Sequence, residues 1–165
     1  MKKKDLASII FVLILGGLLA YLWLAPSGHP TAPAVSFKNL QNKEFSLQDL
    51  HGKPVVINFW ATECPGCVNE IPLLVNMYKQ HSQDKLVIIG VAMGYDPESQ
   101  VREMVKQKKM NYPIVLDSND SLVKAFNIKV TPTTLFISKE GKIIQRKLGE
   151  MSYDEFATAV AALIH

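Results

Sequence analysis

Hydrophobic positions along the chain fall into three kinds of run, and each predicts a different element. The longest covers residues 6–25, which carry no charge. A helix over those 20 residues rises about 30 Å, enough to cross a hydrocarbon core. Solid apolar runs at 54–60 and 86–92, rich in β-branched residues, predict strands covered on both faces, and 112–116 predicts a third. Elsewhere the period is helical. Ile71, Leu74, Val75 and Tyr78 make one stripe on a helix from Pro65 to about His81, with Pro72 inside it predicting a kink. Asp96 as N-cap and Pro97 at the first position predict a helix to about Lys109, and 118–126 a shorter one. Residues 133–138 and 142–148 read as a hairpin turning at Glu140-Gly141. A capping box, Ser152-Tyr153-Asp154-Glu155, opens a last helix with Phe156, Ala159, Val160 and Leu163 inward.

Ahead of these, 35–39 and 43–46 suggest two short strands about an Asn-Lys turn, followed by a polar turn at 49–53. The alternation of strand and helix, closed by two strands and a helix, predicts an α/β fold. A mixed sheet is flanked by helices on both faces.

Charge adds topology to this picture. Lys2, Lys3 and Lys4 precede the uncharged run, and Tyr21 and Trp23 lie near its far end. Lysines stay on the cytoplasmic side and aromatic rings suit the interface. The expectation is a single-pass anchor with a cytoplasmic N-terminus and a periplasmic or otherwise extracytoplasmic domain. A cleaved signal peptide is the alternative, with Ala32-Pro33-Ala34 offering small residues at a cleavage spacing. That site lies well beyond the end of the apolar run, which is also long for a signal. A buried helix of the soluble domain would need a polar face, which the run lacks. Residues 1–25 are therefore read as cytoplasmic tip and transmembrane anchor, 26–34 as a Pro-rich linker and 35–165 as one domain. That domain carries 15 Lys/Arg against 14 Asp/Glu, a balance that argues against nucleic acid as a partner.

The chemistry is concentrated in the only two cysteines, Cys64 and Cys67. They sit where the first buried strand gives way to a helix, with Pro65 at its first position. Free N–H groups and the positive end of the helix dipole meet there and favour a thiolate at Cys64. Cys67, one turn on, is placed to attack a mixed disulfide on Cys64 and release the partner. The expected roles are Cys64 nucleophile and Cys67 resolving thiol. Other cysteine chemistries fit less well. Zinc wants four ligands, and His29, His51, His81 and His165 are scattered. Covalent haem attachment needs His where Val68 stands. A peroxidatic site has Pro and Thr where Ile57 and Ala61 stand. A purely structural disulfide would close too small a loop to constrain the unfolded chain much. A Cu(I) chaperone using both thiols, with Met93 as a third soft ligand, remains a reading from another class. No phosphate-binding loop or metal motif is present in the sequence, so no cofactor is expected beyond a redox-active Cys64–Cys67 disulfide.

These residues carry a family resemblance. Asn58-Phe59-Trp60-Ala61-Thr62-x-Cys64-x-x-Cys67, then Glu70-Ile71-Pro72, then Val130-Thr131-Pro132-Thr133 with Gly141-Lys142 behind, resemble the thioredoxin superfamily. The match is to its membrane-tethered TlpA/ResA/DsbE-like branch, and it covers essentially all of 35–165. The resemblance implies a thioredoxin-like mixed sheet with an N-terminal strand pair and an inserted helix–strand unit, at 96–116. It implies that Pro132 is a cis-proline facing the cysteines and that Thr131 offers its backbone to a client peptide. Trp60 is grouped with these as client-binding. Glu70 matches an acid kept near the thiols, to move a proton or adjust their pKa values. Asn58 stands where many thioredoxins have a buried acid.

Two departures modulate that reading. Glu63 replaces the family's usual Trp, and Pro65-Gly66 is not the branch's usual pair. A carboxylate beside Cys64, with no lysine at Val68 or Asn69, predicts only a modest thiolate preference and hence a reductant. The implied partners are extracytoplasmic cysteine-containing clients, apocytochrome c among them, and a membrane thiol-reductant donor. An oxidase or isomerase would use the same residues.

Overall fold

The computed structural model describes residues 3–24, 28–81 and 85–164, with side chains in the first helix described at 12–21 and 23. That helix, α1 (Lys3–Leu24), is followed by a strand pair, β1 (Ser36–Lys38) and β2 (Glu44–Ser46), and a 3₁₀ turn at Gln48–Leu50. The domain continues with β3 (Val55–Trp60), α2 (Pro65–Gln80), β4 (Val87–Met93), α3 (Glu98–Gln107) and β5 (Ile114–Asp117). It ends with α4 (Ser121–Ala125), β6 (Thr133–Ile137), β7 (Ile143–Leu148) and α5 (Tyr153–Ile164).

Five strands make one mixed sheet in the order β5-β4-β3-β6-β7. β3, β4 and β5 are parallel, while β6 runs antiparallel to both β3 and β7. β3 is buried at every position because its alternate residues serve two cores. Val56 and Trp60 face α2, α5 and Val101 of α3. Val55, Ile57 and Phe59 face α4 and the β1–β2 pair. Helices thus lie on both faces, as the alternation of elements predicts. The strand pair forms its own small sheet, with Phe37 stacked on Phe45 at 5.1 Å, and is latched to β5 through the Leu40 N–H to the Ile114 carbonyl. Residues 96–116 supply α3 and most of the edge strand β5.

The capping box forms in both directions. The Ser152 N–H donates to Glu155 Oε2 at 2.9 Å and the Glu155 N–H to Ser152 Oγ at 3.3 Å. The four inward residues expected of α5 are all buried. Three expectations need correction. On α2, Met77 is buried while Val75 and Tyr78 are only half-buried, so the stripe is rotated slightly from the one read off the sequence. Asp96 does not cap α3: Pro97 is the N-cap, and the Asp96 carboxylate accepts the Thr62 N–H at 2.7 Å instead. A loop N–H held away from water needs an acceptor, and this one takes the carboxylate. The linker is also shorter than 26–34. The Ala32 N–H donates to the Gly141 carbonyl and the Ile143 N–H to the Pro30 carbonyl, so this extended segment covers part of the free edge at β7. By strand register this latch lies at the Val55–Ile137 end of the sheet, opposite the end that carries Trp60 and Thr133.

In α1 the described side chains 12–21 are all exposed. Among the described residues no helix is long and apolar enough to cross a membrane. The side chains of 6–11, 22 and 24 and residue 25, part of the run read as a span, lie outside the described residues, as do linker residues 26 and 27.

Candidate active site

Cys64 is placed by three local constraints. β3 ends at Trp60, the Asp96 carboxylate holds the Thr62 N–H, and α2 starts at Pro65 with Cys64 as its N-cap. The Cys67 N–H donates to Cys64 Sγ at 3.2 Å, so the sulfur itself caps the helix. In the reduced protein that N–H and the dipole behind it favour an anionic sulfur. The two cysteines are joined in a disulfide with sulfurs 2.08 Å and Cα atoms 5.2 Å apart. They differ in access: Cys64 is half-buried, while Cys67 is 1% exposed and belongs to the core. An incoming group therefore meets Cys64 first.

Glu70 lies one turn beyond Cys67 on the same helix face and is buried, only 3% exposed. The Met151 N–H donates to its Oε1 at 2.6 Å, and Asn58 Nδ2 donates to its Oε2 at 3.3 Å. Asn58 also donates to Thr134 Oγ1 at 3.0 Å. Burial raises the Glu70 carboxyl from its ordinary 4.5 to about 7. The two hydrogen bonds oppose this, the charge of Glu150 adds to it and Lys147 offsets it slightly. A carboxyl poised there can take or give a proton near neutral pH. Asn58 is an amide for a physical reason: the carboxylate beside it needs a donor. We expect Asn58→Asp to place two acids in one buried site and to destabilise the fold by about 2–4 kcal/mol at pH 8. Urea denaturation at pH 8 and pH 5 checks this, with the loss smaller at the lower pH, where one proton is shared.

The Thr131–Pro132 bond is cis. Pro132 is buried and faces the cysteine motif: a Cβ placed on Gly66 would lie 3.7 Å from Pro132 Cδ. Thr131, half-exposed, and Val130, exposed, border it on the surface. Glu63 and Pro65 are exposed on either side of Cys64, and Gly66 is half-buried. Trp60 is the exception. At 1% exposure it lies within the core, its ring nitrogen close over Gly90, so it supports the site from below and presents nothing to a client. A strand residue on a fully covered sheet face has no route to the surface.

One residue that the sequence motifs did not single out joins the site. Glu150 Oε2 lies 3.2 Å from a Cβ placed on Gly66 and accepts from Asn69 Nδ2 at 3.4 Å. No local motif marks it. Hairpin register does, since β6 pairs Thr133 with Leu148 and the Gly149 N–H then reaches the Pro132 carbonyl at 2.8 Å. Below the site, Trp60 Nε1 and Tyr112 Oη are buried with no protein hydrogen-bond partner. Burial, then the Glu70 charge, pushes the Tyr112 phenol above its ordinary value.

Several known proteins are similar to this chain over most of its length. The chain is 33% identical over 121 residues to the thiol-disulfide oxidoreductase ResA of Bacillus subtilis, covering 73% of this chain and 67% of that protein. It is 29% identical over 161 residues to the sporulation thiol-disulfide oxidoreductase A of the same organism, covering 94% of this chain and 96% of that one. The crystal structure of a thioredoxin-family thiol:disulfide interchange protein from Chlorobium tepidum superposes with a TM-score of 0.78 at 28% identity, over 86% of this chain and all of that one. The Redoxin family model matches residues 26–163. A disulfide capping a helix beside a cis-proline, on a sheet that these relatives share, is the apparatus of thiol–disulfide exchange. The chain belongs to the Redoxin family, as a ResA/DsbE-like oxidoreductase of the thioredoxin superfamily.

Proposed function

We propose that this protein is a membrane-tethered reductant of disulfides in extracytoplasmic client proteins. The observation that carries the reading is the unequal placement of two joined sulfurs: Cys64 half-buried at a helix mouth, Cys67 buried one turn before an acid raised to about 7. In the reduced protein the Cys64 thiolate attacks one sulfur of a client disulfide. A mixed disulfide forms and one client thiolate leaves. Cys67 then gives its proton to the Glu70 carboxylate, and its sulfur attacks Cys64. The Cys64–Cys67 disulfide forms and the second client thiolate leaves. Two electrons pass to the client, and its two thiolates take up two protons, one of them by way of Glu70. No other cofactor takes part. Thr131 and Pro132 are the ledge against which the client backbone lies, and Glu63, Pro65 and Gly66 set how strongly the Cys64 anion is favoured.

The reducing direction follows from charge. The first turn of α2 contains no basic residue and Glu63 precedes it, so little beyond the helix end stabilises the thiolate. A less stabilised thiolate makes the reduced form a better electron donor. Equilibration of the protein with glutathione redox buffers checks this. The expected potential lies nearer about −270 mV than about −120 mV, the values of a strong cellular reductant and a strong oxidant. A potential at the oxidising end would reverse the assignment.

The tether rests on the uncharged run at 6–25, the lysines before it, and the exposed apolar side chains of α1, which need cover. The N-terminus is then cytoplasmic and the domain extracytoplasmic. Only five residues separate Leu24 from Pro30, a reach of about 20 Å at most. The tether therefore holds the Gly141 end of the domain near the bilayer and the cysteines at the far end. Its clients are cysteine-bearing proteins of the outer compartment, apocytochrome c among them. A membrane protein thiol re-reduces it, since that compartment lacks the cytosol's thiol pool.

A further inference from the structure

We propose that Glu150 selects clients that carry a positive charge beside the cysteine that Cys64 attacks. The inference rests on the exchange reading above and adds the chemistry of the preferred client. Gly149, with φ +80°, donates its N–H to the Pro132 carbonyl, which fixes the residue after it against the docking ledge. Gly66 lies between Pro132 and Glu150: a Cβ there would be 3.7 Å from Pro132 Cδ and 3.2 Å from Glu150 Oε2. A client segment laid along Thr131–Pro132 so that its disulfide meets Cys64 must pass this carboxylate.

Glu150 is exposed and accepts a hydrogen bond from the neutral Asn69 amide at 3.4 Å. Among the described residues it forms no ion pair. The closest lysine in sequence, Lys147, is bound to Glu155 at 2.8 Å. Glu63, on the other side of Cys64, is likewise exposed without an ion pair. Both carboxylates beside Cys64 and Gly66 are thus exposed without an ion pair, which favours a cationic client and disfavours an anionic one. The cation also assists the chemistry. It offsets the repulsion that Glu150 exerts on Glu70, and it lowers the cost of a second anion at Cys64. Met151, whose N–H holds Glu70, is the next residue in the chain, so client binding and the proton-carrying acid share one short segment.

The test uses the reduced full-length protein in nanodiscs. Its substrates are synthetic peptides whose single cysteine is disulfide-bonded to 2-mercaptoethanol and which differ only in Lys, Gln or Glu beside that cysteine. Each second-order rate is divided by the rate of the same peptide with dithiothreitol, which removes the peptide's own reactivity. The wild-type protein is expected to favour the Lys over the Glu peptide by about tenfold at low salt, and by less at high salt. Glu150→Gln should cut that ratio by at least about threefold, with Glu63 supplying the remainder, and Glu150→Asp should keep most of it. Glu140→Gln, at the opposite end of the β6–β7 hairpin, should leave the ratio unchanged. A wild-type ratio near one, or the same ratio in Glu150→Gln, overturns the proposal. Failure of the wild type to reduce any of the peptides would instead overturn the exchange reading, and the proposal with it.

Discussion

Replacing Cys67 by serine is expected to stop the reaction halfway. Cys64 still attacks, the mixed disulfide forms, and nothing within reach resolves it, because these are the only two cysteines in the chain. The Cys67→Ser protein should accumulate covalent complexes with clients, visible as adducts that dissolve on adding dithiothreitol, and its turnover should fall by about three orders of magnitude or more. Cys64→Ser should give neither adduct nor turnover, since the remaining thiol is 1% exposed in the native domain. Applied to native membranes, the same Cys67→Ser trap names the clients. Adducts on Cys67 in the Cys64→Ser protein, in place of adducts on Cys64, would invert the two roles.

The second large effect concerns Glu70 and pH. Its carboxyl, raised from 4.5 to about 7, binds a proton more tightly in the folded than in the unfolded protein. Folding is therefore favoured most below pH 4.5. It loses about 3 kcal/mol as pH climbs from there to about 7, beyond which the loss is complete. Glu70→Gln removes that titration. Stability should become nearly flat across the interval, with the variant more stable than wild type at pH 8 by up to about 3 kcal/mol. The weakened hydrogen bond to the Met151 N–H reduces this gain. Denaturation of the oxidised protein at several pH values reads both slopes. Function should move the opposite way: resolution of the mixed disulfide slows and loses its inflection near pH 7. A wild-type stability curve flat from pH 4.5 to 7 would mean that Glu70 is not a buried, proton-holding group. Higher stability bought with slower chemistry is what a strained active-site acid predicts.

How far these features were legible depends on whether local chemistry decides them. The capping box at Ser152 and Glu155 involves four consecutive residues and forms as read. The cysteine pair at a strand–helix junction is equally local and its sulfurs are joined, whereas the cis bond at Pro132 is what the family resemblance implies and no local signal dictates it. Asp96 is the counterexample. Asp-Pro before a helical pattern is a sound local capping signal, yet the Thr62 N–H, 34 residues away, competes for the same carboxylate and takes it. Spacing along α2 puts Glu70 on the face of Cys67, but its burial, and hence its proton affinity, depends on Met151 and Asn58 arriving from other elements. Trp60 reads as a motif residue and therefore as a contact. Only the sheet, covered on both sides, shows that it has no path outward. Glu150 lies 86 residues beyond Cys64, and its place depends on the β6–β7 register.

The whole account depends on one sulfur being reachable and the other sheltered above an acid. Iodoacetamide alkylation of the fully reduced native protein at pH 7, followed by peptide mass spectrometry at short times, measures this directly. The account predicts carboxamidomethyl groups on Cys64, with Cys67 modified at least about tenfold more slowly. Equal modification of the two, or faster modification of Cys67, would contradict it.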